Sequence, residues 1–158
     1  MKTIIPVALI WLLLVLGCGN IVKRNFASFD PYKGGLSELL QSEISGGLAK
    51  FKLSGTRDSL ANFAGATEAK GFTYIQEGAG VSVPIDGALV NYPSAATANE
   101  ELKKIAADYK TTVAAKSKGT RFSANDGKVV GWTNGSLLCF LKSGFAKPAG
   151  NLEDAAPF

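Results

Sequence analysis

Residues 120–141 read TRFSANDGKVVGWTNGSLLCFL, and this stretch decides the fold. Two turn signals, Asn125-Asp126-Gly127 and Asn134-Gly135, bracket Lys128 to Trp132, and a further strand follows from Ser136 to Leu141. A type I′ turn at Asn134-Gly135 pairs Trp132 with Leu137, Val130 with Cys139 and Lys128 with Leu141 on one face. Val129, Leu138 and Phe140 then lie on the other. A hairpin that is apolar on both sides needs cover on both sides. Trp132, Phe140 and Leu138 are therefore candidates for a core or interaction face.

The cover on one side is readable just upstream. Ala98, Leu102, Ile105, Ala106, Tyr109 and Val113 form a single stripe at helical spacing, with Glu100, Lys103, Lys104 and Asp108 turned away from it. Thr97-Ala98-Asn99-Glu100 has the form of a capping box at the helix start, and Glu100 precedes Lys104 by four residues, a favourable exposed pair. The polar face carries both signs of charge, which suits a helix lying on a sheet better than one lying on a membrane.

Further upstream, Phe72 to Ile75 reads as a strand, Gly78 and Gly80 as a turn, and Val81, Val83 and Ile85 as inward residues of the next strand. Asp86-Gly87 has the form of a two-residue hairpin turn, which would set Ile85 opposite Ala88 and Val83 opposite Val90. One long strand kinked at Gly87 is the alternative. Pro84 cannot donate a ladder hydrogen bond and points to an edge or a bulge. Ala49 to Leu53 alternates as a strand does. Leu36, Leu39, Leu40 and Ile44 recur as in a short helix ended by Gly46-Gly47, and Asp58 or Ser59 caps a weak helical turn before Ala69. The order predicts one α+β domain: a mostly antiparallel sheet of about five or six strands, one long amphipathic helix packed on it, and a short N-terminal helix.

Composition removes several chemistries. The 158 residues contain no histidine and two cysteines. Ser-His-Asp and Cys-His systems and histidine-ligated metals are therefore excluded, and thiolate metal sites lack the necessary cysteines. No phosphate-binding glycine loop occurs, and adjacent carboxylates such as Glu100-Glu101 point apart on a helix. No catalytic residue, metal or cofactor is assigned. The net charge of +4 falls by one when Lys2 leaves with the leader, and the cations are dispersed, so no nucleic-acid partner is expected.

Lys2 and the apolar run Ile4 to Leu16 have the charge and length of a secretory signal peptide. Thirteen helical residues cover roughly 20 Å, too little to span a bilayer core. The run ends in Val15-Leu16-Gly17-Cys18. This motif resembles the lipobox of bacterial lipoproteins. The resemblance implies cleavage after Gly17, a diacylglycerol on the Cys18 thiol, and usually a further acyl chain, such as palmitate, on the new amino terminus. Gly19 stands where an aspartate tends to retain such proteins at the inner membrane. The location implied is thus the outer membrane facing the periplasm in a Gram-negative cell, and otherwise the outer face of the cytoplasmic membrane. The pattern from Tyr74 through Asn91-Tyr92-Pro93-Ser94 to Gly131-Trp132-Thr133-Asn134-Gly135 resembles small uncharacterised exported bacterial domains and implies no activity.

The chain divides into residues 1–17 as signal peptide, 18–35 as lipidated cysteine and tether, and 36–158 as the α+β domain. Phe26, Phe29 and Tyr32 of the tether, and Phe145, Leu152 and Phe158 at the far end, are apolar enough to dock on it. With Cys18 acylated, Cys139 has no disulfide partner and reads as a buried small hydrophobe. The function expected is that of a non-catalytic envelope lipoprotein. Its partners would be the membrane, through its lipid, and either an envelope protein or a small hydrophobic ligand. The alternative is an enzyme using carboxylate, Lys or Tyr chemistry.

Overall fold

Over Glu68–Glu77 buried residues recur at nearly every second position, which sets the pattern for the molecule: a strand buries side chains on one face and frequently on both. The computed structural model describes residues 31–46, 49–77, 82–116, 119–144 and 151–156. The leader, Gly17, Cys18, Phe26, Phe29, the Gly78–Gly80 turn, Val81, Phe145 and Phe158 lie outside them.

The strands are β1 (Glu43–Gly46), β2 (Ala49–Asp58), β3 (Glu68–Glu77), β4 (Val83–Asn91), β5 (Ala114–Lys116), β6 (Gly119–Ala124), β7 (Val129–Asn134) and β8 (Leu137–Ser143), with the helix α1 (Ala95–Asp108) between β4 and β5. They form a single antiparallel sheet in the order β1-β2-β3-β4-β8-β7-β6-β5. Two four-stranded meanders therefore meet at β4 and β8. The α+β architecture stands as expected, with eight strands in place of five or six.

Each face has its own core. On the first, Phe51, Phe72, Tyr74, Ile85, Leu89, Cys139 and Leu141 are buried beneath the segment from Tyr32 to Leu40 and a 3-10 turn at Leu152–Ala155. Leu152 thus docks as the sequence suggests. On the second, α1 lies across β6, β7 and β8 and buries Ala98, Leu102 and Ala106 against Val90, Phe122, Val129 and Leu138. Ile105 and the C-cap Tyr109 pack at its margin, so the predicted stripe faces the sheet as far as the helix runs; the helix ends at Asp108, and Val113 packs there from the chain beyond it. Asn99 fastens the helix: Thr133 Oγ1 and Thr120 Oγ1 donate to its Oδ1 at 2.6 and 2.9 Å.

Several local expectations are corrected. No helix forms over Leu36–Ile44. Leu36–Leu39 makes one 3-10 turn, and Ile44 instead pairs with Phe51 in β1. A nine-residue helix gains little from propagation, whereas ladder bonds to β2 satisfy the same backbone groups. Asp86-Gly87 is not a hairpin turn: β4 runs straight through it, Gly87 pairing with Phe72 on one side and Leu141 on the other. A Cβ on Gly87 would run into the Phe72 ring and lie 2.8 Å from Leu141 Cδ2, so glycine is there for close approach, without a positive φ.

The β7–β8 turn is displaced by one residue. Asn134 pairs with Leu137, and the loop is Gly135-Ser136, with positive φ at Gly135 alone. Trp132 consequently pairs with Cys139 and Val130 with Leu141. Every side chain nevertheless keeps its predicted face, because the displacement moves each partner by two residues. Helix α1 starts before the Thr97 box: Ser94 is the N-cap, and its Oγ accepts from the Thr97 N–H at 3.2 Å. Glu100 pairs with Lys103 at 2.6 Å, and Glu101 takes Lys104. The Asp58 cap is real, Oδ1 accepting from the Leu60 N–H at 2.9 Å, but it begins only a 3-10 turn at Leu60–Asn62.

Two buried tyrosines differ in a testable way. The Tyr74 hydroxyl donates to the Gln41 carbonyl at 2.8 Å, whereas the buried Tyr92 hydroxyl has no hydrogen-bond partner among the described residues. Tyr74→Phe is expected to cost about 0.5–1.5 kcal/mol, and Tyr92→Phe to be neutral or stabilising, as thermal or urea unfolding will show. Equal losses at both positions would contradict the hydrogen-bond assignment.

Candidate functional site

Trp132, Phe140 and Leu138 do not form one surface. Trp132 is half-buried on the first face, whereas Leu138 is buried under α1 on the second. Phe140, half-buried, belongs to an aromatic cluster with Tyr109 and Phe122, its ring centroid 6.0 and 6.5 Å from theirs. Cys139 is fully buried, and desolvation pushes its thiol well above the ordinary cysteine range. That environment is the opposite of the one that activates a thiolate.

A groove opens where α1 leaves the second face uncovered. One row of side chains across β2, β3, β4 and β8 holds Arg57, Gly71, Ala88 and Phe140. The next holds Thr73, Asp86 and Lys142. The small residue Ala88 leaves a hollow, and Ser59, Asn62 and Phe63 from the β2–β3 connection rise along its side. Its volume is about 180 Å³. Beside it Ser59 and Arg57 close over Gly71, where a Cβ would lie 2.5 Å from Ser59 Oγ and 2.9 Å from Arg57 Cγ and Nε.

The groove is lined by two cations, Arg57 and Lys142, and one carboxylate, Asp86. Arg57 and Lys142 make no ion pair among the described residues. Asp86 is engaged by Thr73, whose Oγ1 donates to Oδ1 at 2.7 Å. Farther out on the same half-face the charges are matched, with Lys52 on Glu77 at 2.9 Å and Lys50 on Glu43 at 3.9 Å. Phe63 and Phe140 add apolar contact to this charged lining.

Tyr74 and Tyr92 are pushed up to about 12 by burial and keep their protons at neutral pH. Glu100 and Glu101 are taken by lysines of their own helix. Among the described residues no group of three or more Cys, Asp or Glu is placed to hold a metal ion. No helix among them is long and apolar enough to cross a membrane.

Sequence reading did not reveal this groove. Arg57 and Lys142 are 85 residues apart and meet only through the pairing of four strands. No protein-family model matches the chain, and no curated protein or solved structure matches it.

Proposed function

We propose that the chain is a lipid-anchored domain of the bacterial cell envelope that acts by binding rather than by catalysis, with the Arg57–Lys142 groove as its contact site. The observation that carries the reading is the leader itself: a cation, thirteen apolar residues too short to span, and Val15-Leu16-Gly17-Cys18. Two or three acyl chains at Cys18 hold a protein where a single chain is marginal, since each buried methylene contributes about 0.8 kcal/mol. The absence of histidine and the high tyrosine values support a non-catalytic role. The groove's unmatched cations favour an anionic group on a protein or a small ligand over a wholly apolar one.

Intact-mass and peptide analysis of the mature protein tests this. The amino terminus is expected at Cys18, carrying the mass of a diacylglycerol and of any additional acyl chain. A mature chain that retains the leader, or an unmodified Cys18, would refute the anchor.

A further inference from the structure

Of the four connections at one end of the sheet, the charge-poor end, three contain no charged side chain (Ser59–Thr67, Tyr92–Ser94 and Gly135-Ser136), and the fourth, between β5 and β6, carries only cations, Lys116 and Lys118. Leu60, 42% exposed, is the one exposed large apolar side chain among the described residues, and it stands on the first of these connections. The carboxylates that flank this connection are turned onto backbone amides. Asp58 accepts from the Leu60 N–H at 2.9 Å, and Glu68 accepts from the Leu36 N–H at 3.2 Å. Lys33 and Lys116, both exposed, add positive charge beside this end. At the opposite end the connections after α1 and between β6 and β7 carry both signs, with Asp108, Lys110, Asp126 and Lys128, and those between β1 and β2 and between β3 and β4 carry no charge.

The amino-terminal segment joins the domain at the charge-poor end. The Tyr32 N–H donates to Ser136 Oγ at 2.9 Å, and Asn91 Nδ2 donates to the Tyr32 carbonyl at 3.0 Å. The Asn91 backbone carbonyl in turn accepts from the N–H of Thr67 at 2.8 Å, where the Leu60 loop closes. One residue thus ties the end of the tether to the base of the loop. The thirteen residues from Cys18 to Asp30 reach at most roughly 45 Å.

We infer that the charge-poor end is turned toward the bilayer, with the Leu60 loop at the level of the lipid headgroups and Lys33 and Lys116 facing anionic lipids. The inference rests on the Cys18 anchor. A side chain exposed to water at the point nearest the lipid gains by entering the interface, and isolated cations around it are drawn to anionic headgroups. The mixed charges of the other end gain nothing there. An anchored domain with these two ends orients itself.

The test uses the acylated full chain in vesicles of phosphatidylethanolamine and phosphatidylglycerol. Ala61→Cys and, at the other end, Asp126→Cys are each labelled with an environment-sensitive dye; buried Cys139 leaves the introduced thiol as the reactive one. Spin-labelled lipids are expected to quench the dye at position 61 several-fold more than the dye at 126. Adding Leu60→Asp is expected to remove the difference. Equal quenching, stronger quenching at 126, or a difference that survives Leu60→Asp overturns the orientation while flotation with the vesicles leaves the anchor intact. Failure to float overturns the anchor and this inference with it.

Discussion

Phe72→Ala is expected to lower the stability of the domain by about 3–5 kcal/mol, among the largest losses available to a single substitution here. The ring is fully buried where β3 meets β4, with its edge toward Tyr74 at 5.4 Å and an interplanar angle of 72°. Gly87 lies beneath it and leaves the space that the ring fills. The converse substitution, Gly87→Val, forces a branched side chain into that space and is expected to cost about 1–3 kcal/mol or more. The two are coupled: the pair Phe72→Ala with Gly87→Val should be less destabilised than the sum of the singles, by about 0.5–3 kcal/mol. Urea denaturation of the four proteins measures this directly. Strict additivity would mean that β4 does not pass under Phe72, and would revive the reading of Asp86-Gly87 as a turn.

The second large effect concerns the helix. Leu102 is fully buried and faces Gly131 of β7, where a Cβ would lie 2.9 Å from Leu102 Cδ1. Leu102→Ala is expected to cost about 2–5 kcal/mol, because the helix and sheet can close the space only in part. Lys103→Ala, one position along and exposed, should stay within about 0.5 kcal/mol of the parent. Similar losses at 102 and 103 in thermal melts would contradict the packing of α1 on β6–β8.

The parts of the fold legible in the sequence were those in which periodicity and burial agree. The helical stripe from Ala98 to Tyr109 meets the sheet as read, although the helix stops short of Val113, and the Asn125-Asp126-Gly127 signal yields three successive residues of positive φ. The double apolar face of Val129–Trp132 and Leu137–Leu141 correctly required two covering layers. What failed was local chemistry overruled by distant partners. Asp86-Gly87 has the form of a turn, but the strand-long ladders to β3 and β8 and the Phe72 ring on Gly87 favour extended backbone. Leu36–Ile44 has helical spacing, but its leucines are wanted over Phe51 and Tyr74, and Ile44 completes an edge strand. The capping box at Thr97 lost to Ser94, which offers a side-chain acceptor three residues earlier.

The groove was the least legible feature. Its cations come from β2 and β8, its hollow from Ala88, and its wall from Ser59, Asn62 and Phe63. Each residue taken alone reads as surface or as a small strand residue. The charge-poor end, by contrast, is written in the sequence as three stretches without Asp, Glu, Lys or Arg, but only the sheet order brings them together.

The reading of this chain depends most on Cys18, and Cys18→Ser tests it in one experiment. Membrane and soluble fractions of cells producing either form are separated and probed for the domain. The parent is expected in the membrane fraction, and the serine form is expected to leave it or to accumulate with its leader uncut. Identical fractionation and identical electrophoretic mobility of the two forms would contradict the account.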